Sequence, residues 1–105
     1  MDLYIFIDVN NPGCSEDQTW NDEKCKAVYR ALCKYEGIDS NQAHVNIQQF
    51  IQEQCYGSSF SISFEYHRDD KSPLDDITKK ANNLHQHLEN ECKDIGLIVT
   101  MSSGV

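Results

Sequence analysis

The sequence predicts one small α/β domain: a three-stranded sheet with three helices, in the order β-α-α-β-α-β. Three observations carry that prediction. An apolar run opens the chain at residues 2–9, residues 58–67 alternate strictly between apolar and polar, and three stretches repeat their apolar residues every three or four positions. The 105 residues make a single domain, 1–105, and are too few for two.

In residues 2–9, Leu3, Ile5, Ile7 and Val9 fall on one face, with Tyr4 and Phe6 on the other. Apolar side chains on both faces predict a central strand covered on both sides. Asn10-Asn11-Pro12-Gly13 then turns the chain. Thr19 or Asn21 caps the first helix, which carries Asp22 and Glu23 in its first turn. Cys25, Val28, Leu32 and Tyr35 form its apolar stripe, and Gly37 closes it in the left-handed conformation.

Asp39 or Ser40 caps a second helix with the stripe Ala43, Ile47, Phe50, Ile51 and Cys55, ended by Gly57. In residues 58–67, Phe60, Ile62, Phe64 and Tyr66 face one way, and Ser59, Ser61, Ser63 and Glu65 the other. That pattern predicts a strand with one buried and one wet face. Ser72-Pro73-Leu74-Asp75 starts the third helix, with Ser as cap and Pro in the first turn. Its stripe is Leu74, Ile77, Ala81, Leu84, Leu88 and Glu91 or Cys92. Asp94-Ile95-Gly96 breaks the helix, and residues 97–101 form the last strand. A helix between the last two strands predicts a right-handed parallel crossover. The direction of the second strand relative to the first stays open, because two helices separate them.

Charge narrows the function. Nine Lys and Arg against seventeen Asp and Glu leave a formal net charge of −8. Such a field repels nucleic-acid phosphates and anionic lipid, and Lys79-Lys80 is the sole adjacent basic pair. Direct nucleic-acid and membrane binding are disfavoured, and encounter with a basic protein surface is favoured. The chain opens without a positively charged leader and has no apolar run long enough to span a bilayer, which predicts a cytoplasmic protein.

Reactive groups are sparse. The five cysteines, at 14, 25, 33, 55 and 92, form no CxxC and read as free thiols in a reducing compartment. Glu16 and Asp17 work against a reactive thiolate at Cys14. His85 and His87 are two apart on a helix and diverge, while His44 and His67 lack a partner at ligand spacing. Phosphate-binding loops and hydrolase motifs are missing. The prediction is a non-enzyme with no cofactor and no bound metal. One competing pattern is Phe6-Ile7-Asp8-Val9-Asn10-Asn11, an acid at the end of an apolar strand. It resembles the opening of haloacid-dehalogenase and PIN/NYN-type nuclease domains. That resemblance implies a magnesium-dependent nuclease or phosphatase, with Asp69 and Asp70 as the further acids.

The acids cluster in two places. Glu16, Asp17, Asp22 and Glu23 surround the first loop, and Asp69, Asp70, Asp75 and Asp76 surround the loop before the third helix. Trp20 and Tyr66 stand beside them as candidate aromatic anchors. If the first two strands run parallel, both loops meet at one end of the sheet and form a single acidic, aromatic surface.

The closing stretch, an amphipathic helix through Cys92 followed by Asp94-Ile95-Gly96-Leu97-Ile98-Val99-Thr100, resembles the end of the barstar family of bacterial ribonuclease inhibitors. That family's Tyr-Tyr-Gly-Glu-Asn segment is replaced here by Ile38-Asp39-Ser40-Asn41-Gln42-Ala43, so no residue role carries over. The resemblance implies a class: an immunity protein that neutralises a basic nuclease toxin. A phage-encoded inhibitor of a host nucleic-acid-binding complex, of the anti-CRISPR or DNA-mimic type, uses the same electrostatics. A second copy of the chain covering the first strand would make a homodimer.

Overall fold

A computed structural model of the chain describes residues 2–42, 44–67 and 74–104. Its order is β1 (Leu3–Asn10), α1 (Asp22–Glu36), α2 (Val45–Gln54), β2 (Ser59–Tyr66), α3 (Leu74–Cys92) and β3 (Ile98–Gly104). The α/β class and the element order are as the sequence predicts. β1 is the central strand of a sheet ordered β2-β1-β3, and it is antiparallel to both neighbours.

The number of helices between strands sets these directions. β1 ends at Asn10, opposite Ser59 and Ile98. α1 leads away from that end, and its Tyr35 meets Phe64, which pairs with Ile5, edge to face at 6.4 Å. α2 returns, so that Tyr56 bridges Thr19 and β2 starts beside the end of β1. Two helices form an out-and-back excursion and make β2 antiparallel to β1. Between β2 and β3 there is one helix, so those two strands share a direction, with β1 lying between them.

The register places Ile5, Ile7, Val9, Phe60, Ile62, Phe64 and Val99 on one face, where the helices lie. Ala27, Val28 and Ala31 of α1 and Leu84, Leu88 and Cys92 of α3 complete this core. The architecture is a two-layer sandwich. That corrects the expectation that β1 is covered on both faces. Tyr4 and Phe6 lie on the bare face, stacked on each other at 6.1 Å, and Phe6 remains 37% exposed. Their mutual contact removes part of their apolar surface from water without a covering layer.

Local chemistry sets the boundaries. Asn21 caps α1 by accepting from the Lys24 N–H at 2.9 Å, and Gly37, at φ 71°, closes it. α2 starts at Val45, later than the sequence predicts. The Asp39 carboxylate accepts from the Asn41 N–H at 2.9 Å and the Gln42 N–H bonds the Asp39 carbonyl at 3.0 Å, so these residues form a turn. Ala43, Ser72 and Pro73, assigned to helices above, lie outside the described residues. β3 runs three residues past the predicted end at 101, because Ser102, Ser103 and Gly104 pair with Phe6, Ile5 and Tyr4. A ready central partner overrides their low strand propensity.

α1 and α3 are also joined by charge. Glu91, whose side chain is 14% exposed, accepts from Arg30 at 3.0 Å and from Lys34. The Lys34 hydrogen bond first, and then Arg30, hold its carboxyl below the ordinary value of 4.5 against the opposing effect of burial. A depressed folded-state value means the contribution to stability is present above about 4.5 and is lost as pH falls through the folded value. Glu91→Gln is expected to cost about 1 kcal/mol near neutral pH, since both cationic partners are half exposed. Urea unfolding at neutral and acid pH checks this. The deficit should shrink in acid.

Candidate functional site

At the end of the sheet where β1 stops and β2 starts, the loop between β1 and α1 folds against the α2–β2 connection. The Gly57 N–H donates to the Gln18 carbonyl at 2.9 Å, Trp20 N–H to the Cys55 carbonyl at 3.0 Å, and Asn11 N–H to the Ser58 carbonyl at 2.7 Å. Together with the Thr19–Tyr56 bridge, these bonds fix the otherwise polar loop onto the start of β2. Gly57 is buried at φ 73°, and a Cβ built there meets the Glu16 carbonyl oxygen at 3.4 Å. A side chain there is strained by the backbone itself. Gly57→Ala is expected to cost about 1–2 kcal/mol in urea unfolding.

This junction frames a cleft of about 490 Å³ lined by Glu16, Asp17, Gln54, Tyr56 and residues 57–61. Two carboxylates, three serine hydroxyls and the 51%-exposed Tyr56 face a site that no cation lines among the described residues. The cleft opens onto the bare sheet face through Ser59 and Ser61, which pair with Asn10 and Asp8. The Ser61 hydroxyl donates to the Asp8 carboxylate, so a third acid is continuous with the cleft. Across the bare face the register sets Tyr4, Phe6, Asp8 and Asn10 beside Ser63, Glu65, Ile98, Thr100 and Ser102, again without Lys or Arg. Such a surface accepts hydrogen bonds and attracts a guanidinium or ammonium group.

The predicted site residues divide. Glu16 and Asp17 are exposed and line the cleft. Asp22 and Glu23 are exposed in the first turn of α1, and Asp22 pairs with Lys26 at 2.9 Å. Trp20 is not a surface anchor. It is 4% exposed, donates from Nε1 to the Gly57 carbonyl at 2.7 Å and packs on Phe60 at 5.4 Å. Tyr66 is half-buried at the far end of β2, opposite Leu3. Asp75 and Asp76 open α3 at that same far end, where Thr78 and Ala81 approach Leu3 and Ile5. Asp69 and Asp70 lie outside the described residues.

The single acidic surface required β1 and β2 to be parallel. They are antiparallel, so Glu16 and Asp17 are separated from Asp75 and Asp76 by the length of the sheet, about 24 Å of strand. The magnesium reading needs Asp69 and Asp70 beside Asp8, and those two acids lie outside the described residues. β2 ends opposite Leu3, five positions or about 17 Å from Asp8. Among the described residues no group of three or more His, Cys, Asp or Glu is placed to hold a metal ion. Asp8 lies within β1 and accepts a hydrogen bond from the Ser61 hydroxyl across the sheet.

Sequence reading missed Tyr56, Ser59 and Ser61 as partners of Glu16 and Asp17. The available signal was Cys55-Tyr56-Gly57-Ser58, an aromatic in a turn between two apolar elements. Among the described residues no helix is long and apolar enough to cross a membrane. Comparison with protein-family models, with curated proteins and with solved structures finds no match to this chain.

Proposed function

We propose that the chain is a small acidic binding protein that neutralises a basic toxin, in the manner of an immunity protein to a nuclease. The acidic cleft at the start of β2 carries this reading: Glu16 and Asp17 wall it, Tyr56 stands exposed at it, and among the described residues no cation lines it. An enzyme that binds nucleic acid needs a basic surface. The chain's −8 charge and the cation-free cleft complement such a surface. Tyr56 supplies a rigid amphipathic contact of the kind that dominates interface energetics. The bare sheet face beside the cleft enlarges the contact, with Phe6 and Ile98 as apolar elements among hydroxyls. In this reading Asp22, Glu23, Asp75 and Asp76 complement helix dipoles and lie outside the contact.

The test is co-expression with the product of the neighbouring open reading frame in a bacterial host. The expected result is growth arrest by the neighbour alone, rescue by this chain, and a stable complex on size exclusion. A harmless neighbour that forms no complex contradicts the reading.

A further inference from the structure

We propose that two copies of this chain join through the free edge of β3, paired antiparallel about a two-fold axis at Met101, so that two three-stranded sheets become one continuous sheet. β3 is an edge strand: β1 pairs with one side of it, and among the described residues no strand pairs with the other. Every second residue of such an edge turns its N–H and C=O outward, which is a template for a further strand. The helical layer also stops short of this edge. β2, the opposite edge, alternates exposed residues with covered ones, whereas all of β3 except Val99 is exposed. Ile98 is 53% exposed on the bare face and Met101 42% exposed on the helix face.

The edge fits its own copy. Residues 98–104 carry no charged side chain, so antiparallel pairing sets no like charges opposite each other. With Met101 facing Met101 of the second copy, Val99 meets Ser103, Thr100 meets Ser102 and Ile98 meets Gly104. On the helix side each Met101 borders a groove of about 260 Å³ with Leu3, Ile5 and Ala81 as apolar walls, which a flexible methionine of the second copy fills. The flank of α3 is complementary too. Thr78 and Asn82 lie beside Met101, Ser102 and Ser103, while Glu89 and Lys93 lie beside Leu97, Ile98 and Val99. α3 therefore runs antiparallel to β3 along this edge, with its midpoint beside Met101. The axis that pairs the strands then turns Asp75 toward Lys93 of the second copy, and Lys79 toward Glu89. All four are exposed, so two copies of a −8 chain approach here with opposite charges facing. Glu89 also holds His85 of its own helix at 3.5 Å, which leaves Asp75 and Lys93 as the sharper test. The cleft lies at the start of β2, on the other side of β1, so each copy keeps it open and the pairing does not depend on what it binds.

The test is sedimentation equilibrium of the full chain from low micromolar to near-millimolar concentration, with urea unfolding to confirm that each variant folds. The expected result is a reversible passage from one chain to two as concentration rises. Met101→Lys sets two ammonium groups opposite each other at the axis and is expected to weaken the dimer at least about 10-fold. Lys93→Glu is expected to weaken it about 3- to 10-fold, and Asp75→Lys added to Lys93→Glu to restore it. Asp75 and Lys93 stand about 27 Å apart along one helix, so only a contact between copies explains that rescue. Three outcomes overturn the proposal: a single chain at every concentration, a dimer indifferent to Met101→Lys or to Lys93→Glu, or a loss in Lys93→Glu that the charge exchange does not restore.

Discussion

Trp20→Ala is expected to lower the unfolding free energy by about 3–5 kcal/mol. Two losses combine. The indole is 4% exposed and packs on Phe60, which itself meets Phe50 edge to face at 5.6 Å, so its removal opens a cavity at the centre of an aromatic cluster. The buried Gly57 carbonyl also loses the Nε1–H donor at 2.7 Å. A domain of this size has only about 5–15 kcal/mol in hand, so the variant sits near the unfolding threshold. Trp20→Phe separates the terms: it retains most of the packing and is expected to lose about 1–3 kcal/mol. Urea unfolding followed by circular dichroism measures both. A loss below about 1 kcal/mol for Trp20→Ala would return the residue to the surface role that the sequence suggests.

Charge reversal at the cleft is expected to have the largest effect on binding. Glu16→Lys with Asp17→Lys turns two attractive contacts repulsive, and is expected to weaken the complex with a basic partner by about 10- to 100-fold. Much of that loss should appear as slower association that depends on salt. Asp75→Lys with Asp76→Lys changes the net charge by the same amount at the opposite end of the sheet. It is expected to weaken binding by less than about threefold. The contrast separates a local site from a general effect of net charge. Calorimetric titration of the two double variants, with unfolding curves to confirm that both fold, reads it directly. Equal losses would mean that the whole field, and not the cleft, does the binding.

Much of the fold was legible because the pattern is local. The alternation of residues 59–66 specifies a strand and its buried face, since a one-residue slip would expose Phe60, Ile62 and Phe64 together. The stripe through Ala81, Leu84, Leu88 and Cys92 specifies α3 and its core side. Strand direction was not legible from pattern alone. It follows from how many helices separate two strands and from whether the chain comes back, which is a property of the assembled sandwich. The site inherited that gap. Glu16 and Asp17 were recognisable as acids that helix dipoles do not explain. Their partners Tyr56, Ser59 and Ser61 lie some forty residues on and become neighbours only through the bridge between Thr19 and Tyr56. Trp20 misled because an aromatic beside acids has the composition of an interface anchor. Its burial against Phe60 and the bond from its indole N–H to the Gly57 carbonyl mark it as part of the core.

Amide hydrogen exchange on the free chain and on its complex with the basic partner locates the contact directly. The cleft reading predicts slowed exchange across residues 15–18 and 56–61, with the first turns of α3 unchanged. Unchanged exchange at the cleft, with protection appearing over α3 or nowhere on this end of the sheet, would contradict it.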